Sequence, residues 1–453
     1  MKKHIYKYLF FASVIASLVS CNVEEFSDLN SPEVDAFSET ITRGDLQDLI
    51  GGVLYSSRLR LGTYNDDCGV IGREFWRFSS SDPRFTGDLL GRENSVLDNN
   101  TFYITGPWAA RYRTVKNANL IIGFLDGQDT SALFTGQEVN ATKGFLKTFI
   151  ALELLLNLNL TYEDGIRVDV TDENDLGPFV SKDAALAAIS AMLADAANDL
   201  ANGGPEFPYI LSTGFDGFNT PESFRQASQA IAARVAMYQG DATSVLSHLG
   251  SSFMNLSSVA SGLRTGIYYS FSAGATDILN PMFFPLNAST AGARIMQPSF
   301  TTDAEAGDSR LSKVVFRELE DENGDLQPNP LTLDGLTGDY DVYIYNSNIE
   351  GIPIIRNEEL ILLYAEANIS LNPGQSVNAI NIIRTSANLP AYTGGTDPTS
   401  LLNEVLNQRR YSLYAEGHRW IDMRRYGRLD ELPIDRPEDD VWTQFPIPLT
   451  EGQ

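Results

Sequence analysis

Residues 140–160, NATKGFLKTFIALELLLNLNL, constrain the fold more than any other stretch of this chain. The second half is apolar almost all the way round a 3.6-residue helix. Such a helix must be buried on several sides, so other helices have to pack around it. The first is close in sequence. PWAARYRTVKNANLIIGFLDG, residues 107–127, opens at Pro107, a good first-turn residue, repeats Ala110, Val115, Ala118 and Ile122 at helical spacing, and ends at Gly127. Residues 107–159 therefore read as one helix pair.

Two further units follow the same logic. In residues 181–250, SKDAALAAISAMLADAANDLANGG starts at a Ser181 cap and stops at Gly203-Gly204. TPESFRQASQAIAARVAMYQG starts at a Thr220 cap with Pro221 in first position, and DATSVLSHL adds a short helix. Ala227, Ala230, Ala233 and Ala236 let neighbours approach closely. In residues 356–427, RNEELILLYAEANISLNPG sets Leu360, Leu363, Ala367 and Leu371 on one face. SVNAINIIRTSANLP, TSLLNEVLNQRRYSLYAEG and HRWIDMRRYG complete the unit. No unit buries its apolar face alone, whereas stacked neighbours do. The expected fold is mainly α, with tetratricopeptide-like helix pairs forming an α-superhelical scaffold. Residues 251–350 break the array. They are rich in Ser, Gly, Thr, Tyr and Asn, and TGIYYSF, SKVVFREL and DVYIYNS read as short strands or ordered loops in an irregular insert.

The front of the chain points to a membrane anchor. Lys2, Lys3 and Lys7 precede an apolar run from Leu9 to Val19, too short to span a bilayer but fitting the core of a secretory leader. Leu18-Val19-Ser20-Cys21 matches the bacterial lipobox, in which the cysteine is lipidated and becomes the first residue. The other reading is an ordinary leader with an incidental cysteine. Residues 1–20 are then a leader and 21–40 a polar, acidic linker with Pro32. The body runs from 41 to 453, and no later segment reads as apolar enough to cross a membrane. A lipidated Cys21 leaves Cys68 alone, most simply as a small buried residue.

Charge narrows the partners. The chain has 33 basic and 59 acidic residues, a formal net charge of −26. Without residues 1–20, 30 basic residues face 59 acidic ones, giving −29. Nucleic acid and anionic headgroups are polyanions and are poor partners for such a surface.

The run EVLNQRRYSLYAEGHRWIDMRRYGRL is the most informative. Arg419, Asp422 and Arg425 share one helix face, and Asp422 can pair with either arginine. Glu416 lies just before, and Trp420 can pack inward. With Arg409, these residues read as a hydrogen-bonded corner that fixes helix angles. Together with the lipobox, WAARYRTVKNANLII, PIIRNEELILLYAEA and the closing FPIPLTE, this run resembles the SusD/RagB family of Bacteroidetes outer-membrane lipoproteins. It departs in two places: Gln408 and Ser412 stand where the family usually has Glu. The resemblance implies a non-catalytic, lipid-anchored protein on the outer face of the outer membrane. Such a protein captures oligosaccharides for a SusC-type TonB-dependent transporter, with its ligand site in the irregular insert region. Glu24-Glu25 after Cys21 resembles a surface-export signal.

Sugars are bound by flat rings and planar polar groups. The stretch TYNDDCGVIGREFWRFSSSDPRFTG, residues 63–87, reads as a loop with Tyr64, Trp76 and Phe78 among Asp66, Asp67, Arg73 and Arg77. That is one expected ligand platform, with Trp76 as buried core the competing reading. Tyr268, Tyr269 and Phe271 are a second. Trp108 and Trp420 read as core. Asp321, Asn323 and Asp325 alternate around Gly324 like the start of a calcium loop. Leu326 stands where the loop needs Gly, and Thr332 where it needs its distal Glu, so a polar hairpin turn is the simpler reading. No other cofactor is expected. Three alternatives stay open: peptide capture as in the RagB branch, a surface glycoside hydrolase using paired carboxylates, and a protein–protein scaffold.

Overall fold

A computed structural model describes residues 41–452 apart from 128, 173, 257, 258, 260 and 261. The leader, Cys21, Glu24-Glu25 and the linker to residue 40 lie outside the described residues. From Arg43 onward the chain forms one compact unit.

Two helices, α1 (Arg43–Ser56) and α2 (Leu61–Ile71), lead into a short strand, β1 (Phe75–Arg77). The first long pair is α3 (Phe102–Gly127) and α4 (Gly136–Thr161). Pro107 does not open α3. The helix starts five residues earlier, where the amides of Ile104 and Thr105 donate to the Thr101 carbonyl at 3.1 and 3.0 Å. Pro107 sits inside it, at the loss of one backbone donor. A capping box starts α4: the Thr135 hydroxyl accepts from the Glu138 amide, and the Glu138 carboxylate accepts from the Thr135 amide.

From Ala141 to Thr161 α4 is buried almost without interruption, as its all-round apolarity requires. It is long and apolar enough to cross a membrane, against the sequence expectation, and 94% of its most apolar window is buried inside the protein. The alanine-rich α5 (Lys182–Ala201) is also long and apolar enough, with 33% of its most apolar stretch buried. The two cross closely at Gly144. A Cβ there would lie 2.6 Å from the Leu200 side chain and 2.8 Å from the Ala196 carbonyl oxygen.

Two two-residue strands, β2 (Ile166–Arg167) and β3 (Phe179–Val180), precede α5. Ser181 caps α5, Thr220 caps α6 (Pro221–Tyr238) and Asp241 caps α7 (Ala242–Gly250), each side chain accepting from a backbone amide. Ala227, Ala230, Ala233 and Ala236 are buried against neighbours.

The region after α7 contains more sheet than loops alone would suggest. Its strands are β4 (Gly266–Tyr269), β5 (Arg294–Met296), β6 (Val314–Phe316), β7 (Glu318–Glu320), β8 (Leu326–Pro328), β9 (Leu331–Leu333), β10 (Leu336–Gly338), β11 (Tyr340–Val342) and β12 (Ile352–Arg356), with one helical turn, α8 (Ser299–Thr302). A four-stranded sheet runs in the order β1-β5-β11-β6, so β1 from far upstream belongs to it. β4 pairs antiparallel with β12, Gly266 opposite Arg356, and pinches the two ends of the region together.

The array resumes with α9 (Asn357–Leu371), α10 (Pro373–Ser386), α11 (Pro398–Ser412) and α12 (Arg419–Arg425). In α9, Ile361, Leu362, Ala365 and Ile369 pack with Ile380 and Ile383 of α10 and Val405 of α11. Leu360, Leu363 and Ala367 are buried as well, whereas Leu371, expected on their face, is 53% exposed. Helix α7 packs directly on α9, so the scaffold is continuous across the insert.

The α4–α5 crossing generates a prediction. Gly144→Val is expected to lower stability by about 1–3 kcal/mol, because backbone cannot yield to the new atoms. Thermal unfolding checks this, and an unchanged midpoint would contradict the close crossing.

Candidate functional site

The stretch 63–87 is only partly a loop: residues 78–87, with a single 3-10 turn at Pro83–Phe85, keep that character, and the part before them does not. Residues 61–71 form α2, ten of whose eleven residues are buried, and Phe75–Arg77 form the edge strand β1. The expected platform is therefore folded inward. Tyr64 is 4% exposed, Trp76 3% and Phe78 fully buried. Trp76 stacks on Phe78 with centroids 6.1 Å apart, and its indole N–H donates to Asp435 at 2.6 Å. The Tyr64 hydroxyl accepts from the Asn159 amide at 3.0 Å. Arg73 donates to four carbonyls, those of Val70, Leu90, Pro433 and Asp440, and acts as an internal strut. Asp67 is fully buried with no hydrogen-bond partner on either oxygen, and burial pushes its pKa well above the usual carboxylate range. Cys68 is likewise buried, its thiol pushed up by desolvation and then by Asp67. Tyr269 and Phe271 are buried too, and Tyr268 is half-exposed on β4, in a different sheet from β1.

Arg77 does reach the surface, and a different set of rings meets it there. Arg77 lies opposite Arg294 in the β1–β5 ladder, an arrangement of like charges that costs stability unless neutralised. Asp66 does so: it accepts two bonds from Arg294, at 2.5 and 2.9 Å, and lies 3.4 Å from Arg77. The Phe284 ring covers both guanidiniums, at 5.5 and 5.9 Å. Phe85 covers Arg77 from another side at 5.3 Å, Phe102 packs on Phe85 at 5.0 Å, and Arg84 lies 4.9 Å over Phe102 while gripping Asp82 at 2.7 and 2.8 Å. Phe85, Phe102 and Phe284 are half-buried, and Ser80, Ser81 and Arg84 beside them are exposed. This is a ring-and-guanidinium surface with hydroxyls at its rim. Phe85 lay inside the stretch singled out from sequence. Phe284 lay outside it, in PMFFPL, where two aromatics between prolines were the available signal.

The Asp321 stretch is the turn of the β7–β8 hairpin. The Asp321 carboxylate accepts from the amides of Asn323 and Asp325 at 2.8 and 3.0 Å, as in a polar turn.

The C-terminal motif does build a corner, with one change of partner. Asp422 pairs with Arg409 of α11 at 2.7 Å and with Arg425 at 2.9 Å, and no ion pair joins it to Arg419. Arg425 also holds Glu366 of α9 at 3.0 Å. Asp422 thus ties α12 to α11, and Arg425 carries the network on to α9. Despite burial, Arg409 and then Arg425 hold the Asp422 pKa at about 2. Glu416 takes a short bond from Arg356, and Trp420 is buried with its N–H on the Trp442 carbonyl at 2.7 Å. Glu359, doubly bonded by Arg234 at 2.6 Å, is also held at about 2. Trp108 is core as expected and donates to Glu451 at 2.7 Å.

This corner lies in the part of the chain with sequence relatives. Residues 339–445 match the SusD family model. A SusD-like protein, P38, of Formosa agariphila is 33% identical over 104 residues, 20% of this chain and 21% of that one. Across the body, a SusD superfamily protein of Parabacteroides distasonis superposes with a TM-score of 0.67 over 91% of this chain and 97% of the other, at 18% identity. Residues 339–445 are thus SusD-like in sequence, and the body is SusD-like in fold. Surface glycan-binding protein A of Bacteroides thetaiotaomicron, solved in complex with laminarihexaose, aligns with this chain at a TM-score of 0.66 and 14% identity, over 91% and 97% of the two chains. The sequence match spans only about a fifth of the curated relative, so likeness elsewhere in the SusD-like body is likeness of fold.

The SusD-like corner also carries a pH dependence. His418 lies 4.0 Å from Glu359, yet burial dominates and lowers its pKa to about 4. An unfolded histidine titrates near about 6.5. The unfolded chain therefore takes up that proton first, and stability falls as pH drops from about 6.5 towards 4. Asp422 and Glu359, depressed to about 2, withdraw stability only below the unfolded carboxylate range near about 4. His418→Gln should give a shallower fall in melting temperature between pH 6.5 and 4. Equal slopes for the two proteins would place the titration elsewhere.

Proposed function

We propose that this protein is a non-catalytic surface protein that captures oligosaccharides and passes them to a SusC-type TonB-dependent transporter in the outer membrane, tethered through lipid on Cys21. The observation that carries the reading is the ring surface around Arg77, on a fold shared with a protein solved bound to laminarihexaose. Phe85, Phe102 and Phe284 offer apolar faces of the kind that sugar C–H groups cover. The Asp66–Arg294 ion pair beneath holds Arg77 and its rings in place. The aromatic residues are thus preorganised, and little side-chain ordering is left for the moment of binding.

Two experiments test this. Calorimetry against a polysaccharide panel should find a glycan ligand. A Phe85→Ala, Phe284→Ala double variant should then lose about 1–3 kcal/mol of affinity, the size of one or two lost ring contacts. Peptide binding with no glycan binding would overturn the substrate class. For the tether, Cys21→Ala should move the protein from the membrane fraction to the soluble fraction, and continued anchoring would refute lipidation there.

A further inference from the structure

A cleft of about 680 Å³ opens in the helical scaffold, away from the strands that carry Arg77. Its volume falls in the range of roughly 300–1,000 Å³ typical of small-ligand sites. The ends of α4 and α6, the first turn of α5, and helices α9 and α12 enclose it. Tyr162, Tyr238 and Tyr426 line it with Lys182, Arg424 and Arg425. Its acids are Glu366 and Asp183. Cations outnumber acids there three to two, in a chain where acids outnumber bases 59 to 33.

Most of that charge already has a partner. Glu366 accepts from both terminal nitrogens of Arg425 at 3.0 Å and from the Tyr426 hydroxyl at 2.5 Å. Lys182 sits 4.4 Å over the Tyr162 ring and pairs with Glu163. Arg424 is different. Its guanidinium lies between the rings of Tyr162 and Trp420, at 4.0 and 4.4 Å. It donates to the carbonyls of Thr443 and Asn159 at 2.8 Å each, and its Nε donates to nothing. Arg111, Arg234, Arg294 and Arg409 are buried as deeply, and each holds a carboxylate. Arg424 has none in ion-pair range among the described residues, and burial depresses its pKa to about 10. The two rings fix the plane of the guanidinium, and cation–π attraction covers only part of what a counter-charge would supply.

We propose that this cleft is a second ligand site, separate from the Arg77 surface, and that it takes a carboxylate-bearing saccharide. The inference rests on the reading of the protein as a glycan-capture protein. A sugar ring would lie among the tyrosines. Its carboxylate would sit at the rim beside Lys182, with Arg424 behind supplying uncompensated positive charge. Gln239, exposed at the same rim, offers a planar amide to the hydroxyls.

Calorimetry on the mature chain would use trimers of galacturonate, glucuronate and mannuronate, the methyl ester of each, a neutral glucan hexamer and a Glu-rich peptide. At least one uronate trimer should bind, and its ester should bind at least about tenfold more weakly. Lys182→Met should weaken the acid about twofold to fivefold, the size of one partly screened ion pair, and Phe85→Ala with Phe284→Ala should leave it unchanged. Lys182 is only part-buried, so this variant is expected to fold. The proposal is overturned if none of the three trimers binds, if acid and ester bind alike, if Lys182→Met changes nothing, or if the peptide displaces the trimer with higher affinity. Neutral hexamer binding without trimer binding would sink the cleft alone. Absence of binding by every saccharide would sink the glycan reading with it.

Discussion

The shared carboxylate of Asp422 is the contact on which the C-terminal half depends. Two guanidiniums from α11 and α12 converge on it, and Arg425 extends the network to Glu366 on α9. Buried ions gain from one another only when geometry is good and the remaining donors and acceptors are engaged. Here Arg409, Arg425, Asp422 and Glu366 sum to zero charge, and the pairs are 2.7–3.0 Å long. Removing Asp422 would strand Arg409, and removing Arg425 would strand Glu366, and a stranded buried charge costs far more than the intact network contributes. Apolar packing alone would let α9, α11 and α12 slide along one another. The linked pairs Arg409–Asp422–Arg425–Glu366 set their rotation as well as their distance.

The N-terminal third is locked to the same corner by a second set of polar ties. The Ala415 amide donates to the Glu74 carboxyl at 3.0 Å, and the Tyr414 hydroxyl donates to the Glu74 carbonyl at 3.0 Å. Arg73 and Trp76 reach Pro433, Asp435 and Asp440. Desolvation raises the Glu74 pKa to about 8, which favours its neutral, hydrogen-bonding form in the folded protein. Residues 64–78 are therefore a spine around which the C-terminal segment closes, and the aromatic residues in them are spent on that task. Arg77 is where the spine surfaces, which is why the candidate site begins there.

The helical scaffold was legible because its signals are local. Ser181, Thr220 and Pro221 start helices where capping chemistry says they should, and the alanines of α6 are buried as their spacing implies. The motif corner was legible in composition, although Arg409, thirteen residues away, replaced the nearer Arg419 as partner of Asp422. What the sequence could not convey is long-range. Trp76 looked available because Asp435, which covers its N–H, is 359 residues downstream. The serines and glycines around FWR imitate a loop, yet β5 completes a strand there from more than two hundred residues away. Phe284 and Phe85, about two hundred residues apart, share a surface because both rings lie over Arg77. Pro107 misled for a local reason: a favoured first-turn residue is also tolerated further in when the turn before it is already formed.

The pairing of β4 with β12 has a consequence for how such a protein can change. Neighbouring strands lie only about 4.8 Å apart, so the excursion between them leaves and re-enters the scaffold at nearly one point. Lengthening a loop whose ends are already held together costs little, about 0.6 kcal/mol for each doubling. The strands, hairpins and rings between Tyr269 and Ile352 can thus be exchanged, extended or trimmed while α7 still meets α9. The excursion behaves as an interchangeable cartridge clipped into a fixed frame, so its sequence can drift faster than the architecture that holds it.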